Sequence, residues 1–393
     1  MFDHSNLGRH LLKQSKIANI FGTRPEIIKL MPIIKELECR SPQFDIHNII
    51  TWQHSDLLEP LLTLFDISVQ HQLSIPRERN SLNDLLSTLV RELEPVLGTL
   101  TPDLVLVQGD TATALAGAIS AFNHKIPVMH VEAGLRSGDR NSPFPEEMYR
   151  RMITQIATYH MAATPSNQRT LEAEGVPAER IYLTGNPVVD AVRRVLETTR
   201  PSAELEALLA RLKDRRIIVL TTHRRENFGP VMRAHLSALR EFVQRHKDVV
   251  LIFPVHPNPA VRAECARAGL GGPRMILIEP MIYPDFVHLL SAAWIVASDS
   301  GGVQEEVPTL GKALFILREN TERMEVVTSG FGRLVGSNPK QLENALEEVE
   351  QNDQLLRAVR SIENPFGRGD SAKLIVDAIT EIVVENEIQK VSA

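Results

Sequence analysis

The chain alternates short, unbroken apolar runs with longer amphipathic stretches, and this alternation limits what it can fold into. The apolar runs lie at residues 17–21, 46–51, 104–108, 127–131 and 160–163, and again at 217–221, 249–255, 275–278, 294–297 and 313–317. A strand with one wet face alternates apolar and polar residues; a run that is apolar throughout is a strand covered on both faces, as in a parallel sheet. Helical patterns fill the intervals at 25–38, 81–99, 111–123, 231–245 and 339–359. Repeated strand–helix units predict doubly wound parallel sheets. The repetition breaks at Gly185-Asn186-Pro187, a charged, helix-rich stretch follows over 188–215, and a second series starts at Ile217. The expected fold class is therefore α/β, with two Rossmann-like domains facing a central cleft. Their expected bounds are 1–184 and 185–368, with a terminal helical segment over 369–393.

Composition narrows the function classes. With 43 Lys and Arg against 49 Asp and Glu, the net charge is −6, which disfavours a dedicated nucleic-acid binder while leaving room for a local cationic cleft. No apolar run reaches the ~20 residues that cross a bilayer. The first ten residues carry Asp3 and no apolar stretch, unlike a secretory signal. A soluble, cytoplasmic protein without membrane or nucleic-acid partners is the expectation. Cys39 and Cys265 are distant and in no ligand spacing, so neither a disulfide framework nor a metal site is expected.

Ligands of doubly wound sheets bind beyond the carboxyl ends of the strands, and there the unusual polar clusters fall. The first apolar run ends in Phe21-Gly22-Thr23-Arg24-Pro25-Glu26, with Lys29 a turn later. A tight turn, a Pro suited to the first helical turn and two cations make either an anion site or a solvated strand–helix turn. Neither G-x-G-x-x-G nor G-x-x-x-x-G-K-[ST] occurs, which removes support for a dinucleotide fingerprint or a P-loop. Gln108-Gly109-Asp110-Thr111 ends the third run, where Asp110 is either a helix cap or a chemical group. His130-Val131-Glu132-Ala133-Gly134-Leu135-Arg136 ends the next. In Ser142-Pro143-Phe144-Pro145-Glu146-Glu147, at least one of the two carboxylates is expected to serve only the helix macrodipole.

The second half repeats the pattern. Thr222-His223-Arg224-Arg225-Glu226-Asn227 and Pro254-Val255-His256-Pro257 end two runs; a His followed by two Arg suits phosphate contacts, whereas a lone His such as His256 is more often structural than catalytic. Asp299-Ser300-Gly301-Gly302-Val303-Gln304-Glu305-Glu306 is the sharpest signal. Either this is a plain glycine turn, or its glycines let a ligand approach the backbone, a helix start offers N–H donors to phosphate, and Glu306, one turn on, is a candidate acceptor for ribose hydroxyls. Thr321-Glu322-Arg323 follows the next run.

Taken together, residues 21–29, Gln53-His54, 108–111, 130–139, 142–147, 223–227, 254–259, 299–306 and 321–323 resemble the non-hydrolysing UDP-N-acetylglucosamine 2-epimerase family, in family order along nearly the whole chain. The resemblance implies a B-type glycosyltransferase fold whose last helix crosses back to the first domain. It implies reversible epimerisation at C2 of UDP-GlcNAc to UDP-ManNAc by anti elimination of UDP, through 2-acetamidoglucal, for surface-polysaccharide precursors. It implies no cofactor, a UDP-sugar as the partner molecule, and a homodimer. Asp110, Glu132, Glu146 and His223 correspond to the catalytic group, without the resemblance settling which carboxylate removes H2. Arg24, Lys29, Phe286, Ser300, Gly301, Gly302, Glu306 and Arg323 correspond to substrate contacts. Gln53, Arg79, Arg224 and His256 match an activator site for a second UDP-GlcNAc. Trp52 and Asp56 depart from the family pattern beside that site, as do Tyr149, Met324 and Arg368 elsewhere. The alternatives are a hydrolysing epimerase, a B-type glycosyltransferase and a non-catalytic UDP-sugar sensor. The carboxylates of the first half favour proton transfer at the sugar.

Overall fold

The unbroken apolar runs form buried parallel strands. The structure, a computed structural model, describes residues 14–53, 55–75, 81–224 and 227–392. Among them the strands are β1 (Ser15–Phe21), β2 (Phe44–Ile50), β3 (His71–Gln72), β4 (Leu104–Gln108), β5 (Val128–Ala133), β6 (Tyr159–Ala162), β7 (Ile181–Leu183), β8 (Arg216–Thr221), β9 (Val249–Pro254), β10 (Met275–Ile278), β11 (Ile295–Ser298), β12 (Ala313–Ile316) and β13 (Gly332–Leu334). They form a sheet of order β3-β2-β1-β4-β5-β6-β7 and a second of order β10-β9-β8-β11-β12-β13, parallel throughout. The expected α/β class with two Rossmann-like sheets is what the chain adopts. One compact unit comprises Met1–Ala191 with Gly367–Ala393, and the other Val192–Phe366.

In unit one, Ala18, Ile20, Val105 and Val107 of the central strands pack with Leu85, Leu89, Leu93 and Leu97 of the helix Leu82–Leu100. The fourfold leucine spacing lays one stripe along that helix. Each buried leucine contributes about 2–3 kcal/mol by area, so Leu93→Ala is a core-breaking change. In unit two, Leu236, Leu239, Phe242 and Val243 of the helix Pro230–Arg245 cover Ile218, Leu220, Leu251 and Phe253. Strand order reverses between β1 and β4 in one sheet and between β8 and β11 in the other. The chain diverges there and leaves room for ligands beyond the strand ends.

The final helix, Ser371–Ser392, returns to unit one as the resemblance implied. Its first turn is fastened by Ala372 N–H donating to Asp190 Oδ1 at 3.0 Å and Ser371 Oγ donating to Gly185 O at 3.1 Å. Arg40, capping the helix Arg24–Cys39, lies 2.6 Å from Asp377. Two details differ from the expectation. β3, β7 and β13 are two or three residues long, too short to leave a period in the sequence. The helix expected over 339–359 is two, Pro339–Gln351 and Gln354–Ala358, because extended Asn352 accepts from Gln354 N–H at 2.9 Å and turns the chain. Cys39 and Cys265 are both free thiols.

Candidate active site

The loop after β1 is shaped by close approach. A Cβ on Gly22 would lie 1.9 Å from Thr51 Oγ1 and 2.7 Å from Thr113 Oγ1, so only glycine fits. Glu26, fully buried, accepts from Gly22 N–H at 3.0 Å, Thr23 N–H at 2.7 Å and the Thr111 hydroxyl at 2.6 Å. Burial pushes its carboxyl up to about 7, against the lowering effect of those donors. Arg24 is exposed at the start of the helix. Lys29 instead turns inward, 6% exposed, with Nζ 2.7 Å from both oxygens of Glu132.

Glu132 is the most constrained residue of this group. It interrupts the β5–β6 register as a bulge, with φ of +65°. Bulges re-aim side chains, and a left-handed glutamate persists only where its surroundings hold it. Those surroundings are Lys29, the Gln108 amide donating to Oε2, and the Asn186 amide at 3.4 Å. A Cβ on Gly109 would lie 3.8 Å from Glu132 Oε2, which puts the carboxylate beside the turn that carries Asp110.

Asp110 is not the cap of the helix Ala112–Asn123. Thr111 takes that role, its Oγ1 accepting from Ala114 N–H at 3.0 Å. Asp110, a quarter exposed, instead lies 2.5 Å from Arg150 Nη2. His130, fully buried, is 2.8 Å from Gly109 O through Nε2. Burial holds it down at about 4, so the ring is neutral and Nε2–H donates to that carbonyl.

Glu146 and Glu147 differ in their surroundings, and Glu147 does more than serve the helix macrodipole. Glu147 is fully buried, accepting from Ser137 N–H at 3.0 Å, Arg150 Nη1 at 3.3 Å and Arg151 Nε at 2.9 Å. Glu146, half-buried, opens the helix Glu146–Ile156 that carries Arg150. Tyr149 packs into the unit-one core. Arg150 and Asn186 were not singled out from the sequence; the i, i+3 spacing of Glu147 and Arg150 was the available signal.

In unit two, buried Asp299 at the end of β11 collects the Thr222 hydroxyl at 2.7 Å, His223 N–H at 3.1 Å, Arg224 N–H at 3.1 Å and the Asn227 amide at 2.9 Å. This one carboxylate sets the loop after β8 against the turn after β11. The His223 ring is exposed, Nδ1 3.5 Å from Asp299 Oδ1, and stacks on His256 with ring centres 5.7 Å apart. Arg224 donates through Nε to Asp299 O at 2.9 Å.

Gly301 opens the helix Gly301–Glu306, which ends in buried Glu306. A Cβ on Gly301 would lie 2.7 Å from Arg323 Nη1, whereas Gly302 has space. Arg323 donates to Glu305 at 2.5 Å and pairs with Glu322. Burial alone would raise the Glu322 carboxyl, but the charges of Arg323, Arg318 and Arg224 outweigh it and hold the group well below the usual range. Phe286 is half-buried on the helix Tyr283–Ser291.

Of the four residues matching an activator site, Gln53 belongs to unit one, where its Oε1 accepts from the Thr113 hydroxyl at 2.9 Å. Arg224 and His256 belong to unit two; Arg79 and the Asp56 side chain lie outside the described residues. Among the described residues, no group of three or more His, Cys, Asp and Glu is placed to hold a metal ion, and no helix is long and apolar enough to cross a membrane.

The family model for UDP-N-acetylglucosamine 2-epimerase matches residues 35–380. The UDP-N-acetylglucosamine 2-epimerase of Salmonella typhimurium is 38% identical over 369 residues, 93% of this chain and 98% of its own. The crystal structure of UDP-GlcNAc 2-epimerase from Neisseria meningitidis bound to UDP-GlcNAc superposes with a TM-score of 0.87 at 35% identity, over 93% of this chain and 100% of that one. The Methanocaldococcus jannaschii enzyme in complex with UDP-GlcNAc and UDP gives 0.79 at 34% identity, over 93% and 99%. The motifs at the strand ends, the order of the two sheets and these full-length likenesses agree: the chain belongs to the UDP-N-acetylglucosamine 2-epimerase family.

Proposed function

We propose that this chain interconverts UDP-GlcNAc and UDP-ManNAc by elimination and re-addition of UDP, without hydrolysis and without an added cofactor. The observation that carries this reading is Glu132, turned by a bulge and a left-handed backbone beside the Gly109-Asp110 turn and gripped by Lys29. Elimination needs a base at C2, a group to return a proton there, and charge to keep the departing diphosphate.

The acid–base group of unit one works on the sugar. A carboxylate among Asp110, Glu132 and Glu146 takes H2; the C2–H electrons form the C1=C2 bond as the C1–O pair leaves with UDP. A proton is then delivered to the opposite face of C2 and UDP re-adds at C1. Positioned acid–base groups contribute about 10²–10⁴-fold. Lys29 acts through Glu132, and exposed Arg24 meets the diphosphate. In unit two, Ser300, Gly301 and Gly302 cradle the phosphates, Glu306 takes the ribose hydroxyls, Phe286 and Arg323 line the nucleotide, and His223 serves the leaving phosphate. A homodimer in the cytoplasm, supplying surface-polysaccharide precursors, is the matching proposal for assembly and setting.

Incubation with UDP-GlcNAc in D₂O, without NAD or added metal, tests it by proton NMR. UDP-ManNAc deuterated at C2 is expected. Free ManNAc would assign a hydrolysing enzyme, and unchanged UDP-GlcNAc despite measured binding would overturn the reading in favour of a sensor or transferase.

A further inference from the structure

Glu26 has no part in the proposed proton transfers, yet it is a fully buried carboxylate at the reversal of strand order in unit one. Its Oε2 takes Gly22 and Thr23 N–H, the backbone that leads into Arg24, and its Oε1 takes the hydroxyl of Thr111, the neighbour of Asp110. The same two segments are pressed together from the other side. Gly22 approaches Thr113 so closely that a Cβ would stand 2.7 Å from its hydroxyl. That hydroxyl is fixed by Thr51 at 2.8 Å and Gln53 at 2.9 Å. Simple helix capping accounts for the Gly22 and Thr23 contacts. It does not account for the third, which crosses 85 residues of sequence to the start of another helix.

We infer that Glu26 is a positioning residue for the reaction, tying the loop that carries Arg24 to the turn that carries Asp110 so that the leaving diphosphate and the proton-transfer group keep one geometry. The inference rests on the elimination mechanism above. A loosened tie separates the two halves of that chemistry: turnover falls, and 2-acetamidoglucal and UDP escape before re-addition.

Glu26→Gln isolates the tie. The glutamine oxygen still accepts from Gly22 and Thr23, as in a Gln capping box, but its amide offers no acceptor to Thr111 O–H. We expect kcat to fall by about 10–100-fold, the scale of a small misplacement, with KM much less affected. The ratio of free UDP and 2-acetamidoglucal to UDP-ManNAc should rise several-fold; this ratio does not depend on how much enzyme is folded. Thr111→Val should do the same, Thr111→Ser should restore both values, and the Glu26→Gln/Thr111→Val double variant should lose no more than the worse single one. Wild-type kcat and product ratio in Glu26→Gln, or losses that multiply in the double variant, would overturn the inference. If Glu26→Gln does not fold, the Thr111→Val and Thr111→Ser pair decides it. An inactive wild type would count against the elimination mechanism instead.

Discussion

Lys29 Nζ sits 2.7 Å from both carboxylate oxygens of Glu132, each side chain about 8% exposed. The pair joins the helix after β1 to the bulge of β5, across the intervening β4. It orients the Glu132 carboxylate and shields it from solvent.

Removing the cation should therefore damage chemistry and stability together. Lys29→Met takes the cation away from a buried carboxylate, which costs about 3–5 kcal/mol. It should also lower kcat by at least ~10²-fold, as a misoriented acid–base group does. Adding Glu132→Gln to Lys29→Met should recover most of the melting temperature and none of the turnover. A Lys29→Met enzyme within threefold of wild-type kcat would remove Lys29 from the site.

Arg150 holds two carboxylates with different duties, and their variants should separate cleanly. Asp110→Asn, at a partly exposed position, should lose turnover by about 10²-fold or more with melting unchanged. Glu147→Gln strips charge from a fully buried network and should cost about 2–4 kcal/mol in denaturant unfolding, with kcat of the folded fraction close to wild type. The reverse pattern would exchange their roles.

His130 gives a signed pH dependence. Its native value, about 4, lies below the ordinary 6.5. The unfolded chain therefore binds more protons between these values. The stabilisation is whole above pH 6.5 and is lost as pH falls to 4, by about 3 kcal/mol at most. Glu26 runs oppositely: its native value is raised from 4.5 to about 7, so its contribution is whole below pH 4.5 and lost as pH rises through 7. Urea midpoints from pH 4 to 8 should show a shallower acid loss in His130→Asn than in wild type. Parallel curves would count against a neutral buried ring.

The two close-packed glycines should fail differently. In Gly301→Ala the new methyl meets the guanidinium of Arg323, the far end of a long side chain rather than backbone; calorimetry should show UDP affinity down about 10-fold with the melting point near wild type. In Gly22→Ala it meets Thr51 and Thr113 within the fold, and overpacking of this kind costs about 1–3 kcal/mol or more. Unchanged UDP binding in Gly301→Ala would remove the Ser300–Gly302 turn from the phosphate site.

Much of the molecule was legible in one dimension. Unbroken apolar runs mark strands buried on both faces, so ten strands and the two-sheet plan follow from local pattern. The clusters around Arg24, Asp110, Glu132, His223 and Ser300 stand out because they follow such runs directly, and ligands of this architecture bind beyond the carboxyl ends of strands. What escaped was pairing. Nothing local distinguishes Glu146 from Glu147, or turns Lys29 inward while Arg24 faces solvent. Lys29 and Glu132 are 103 residues apart, Asp110 and Arg150 are 40 apart, and Thr222 and Asp299 are 77 apart. Periodicity reports only which face of an element is buried. Which buried charge meets which partner is decided by strand order and by the bulge at Glu132, since a carboxylate taken out of water is stable only where the fold brings donors to it.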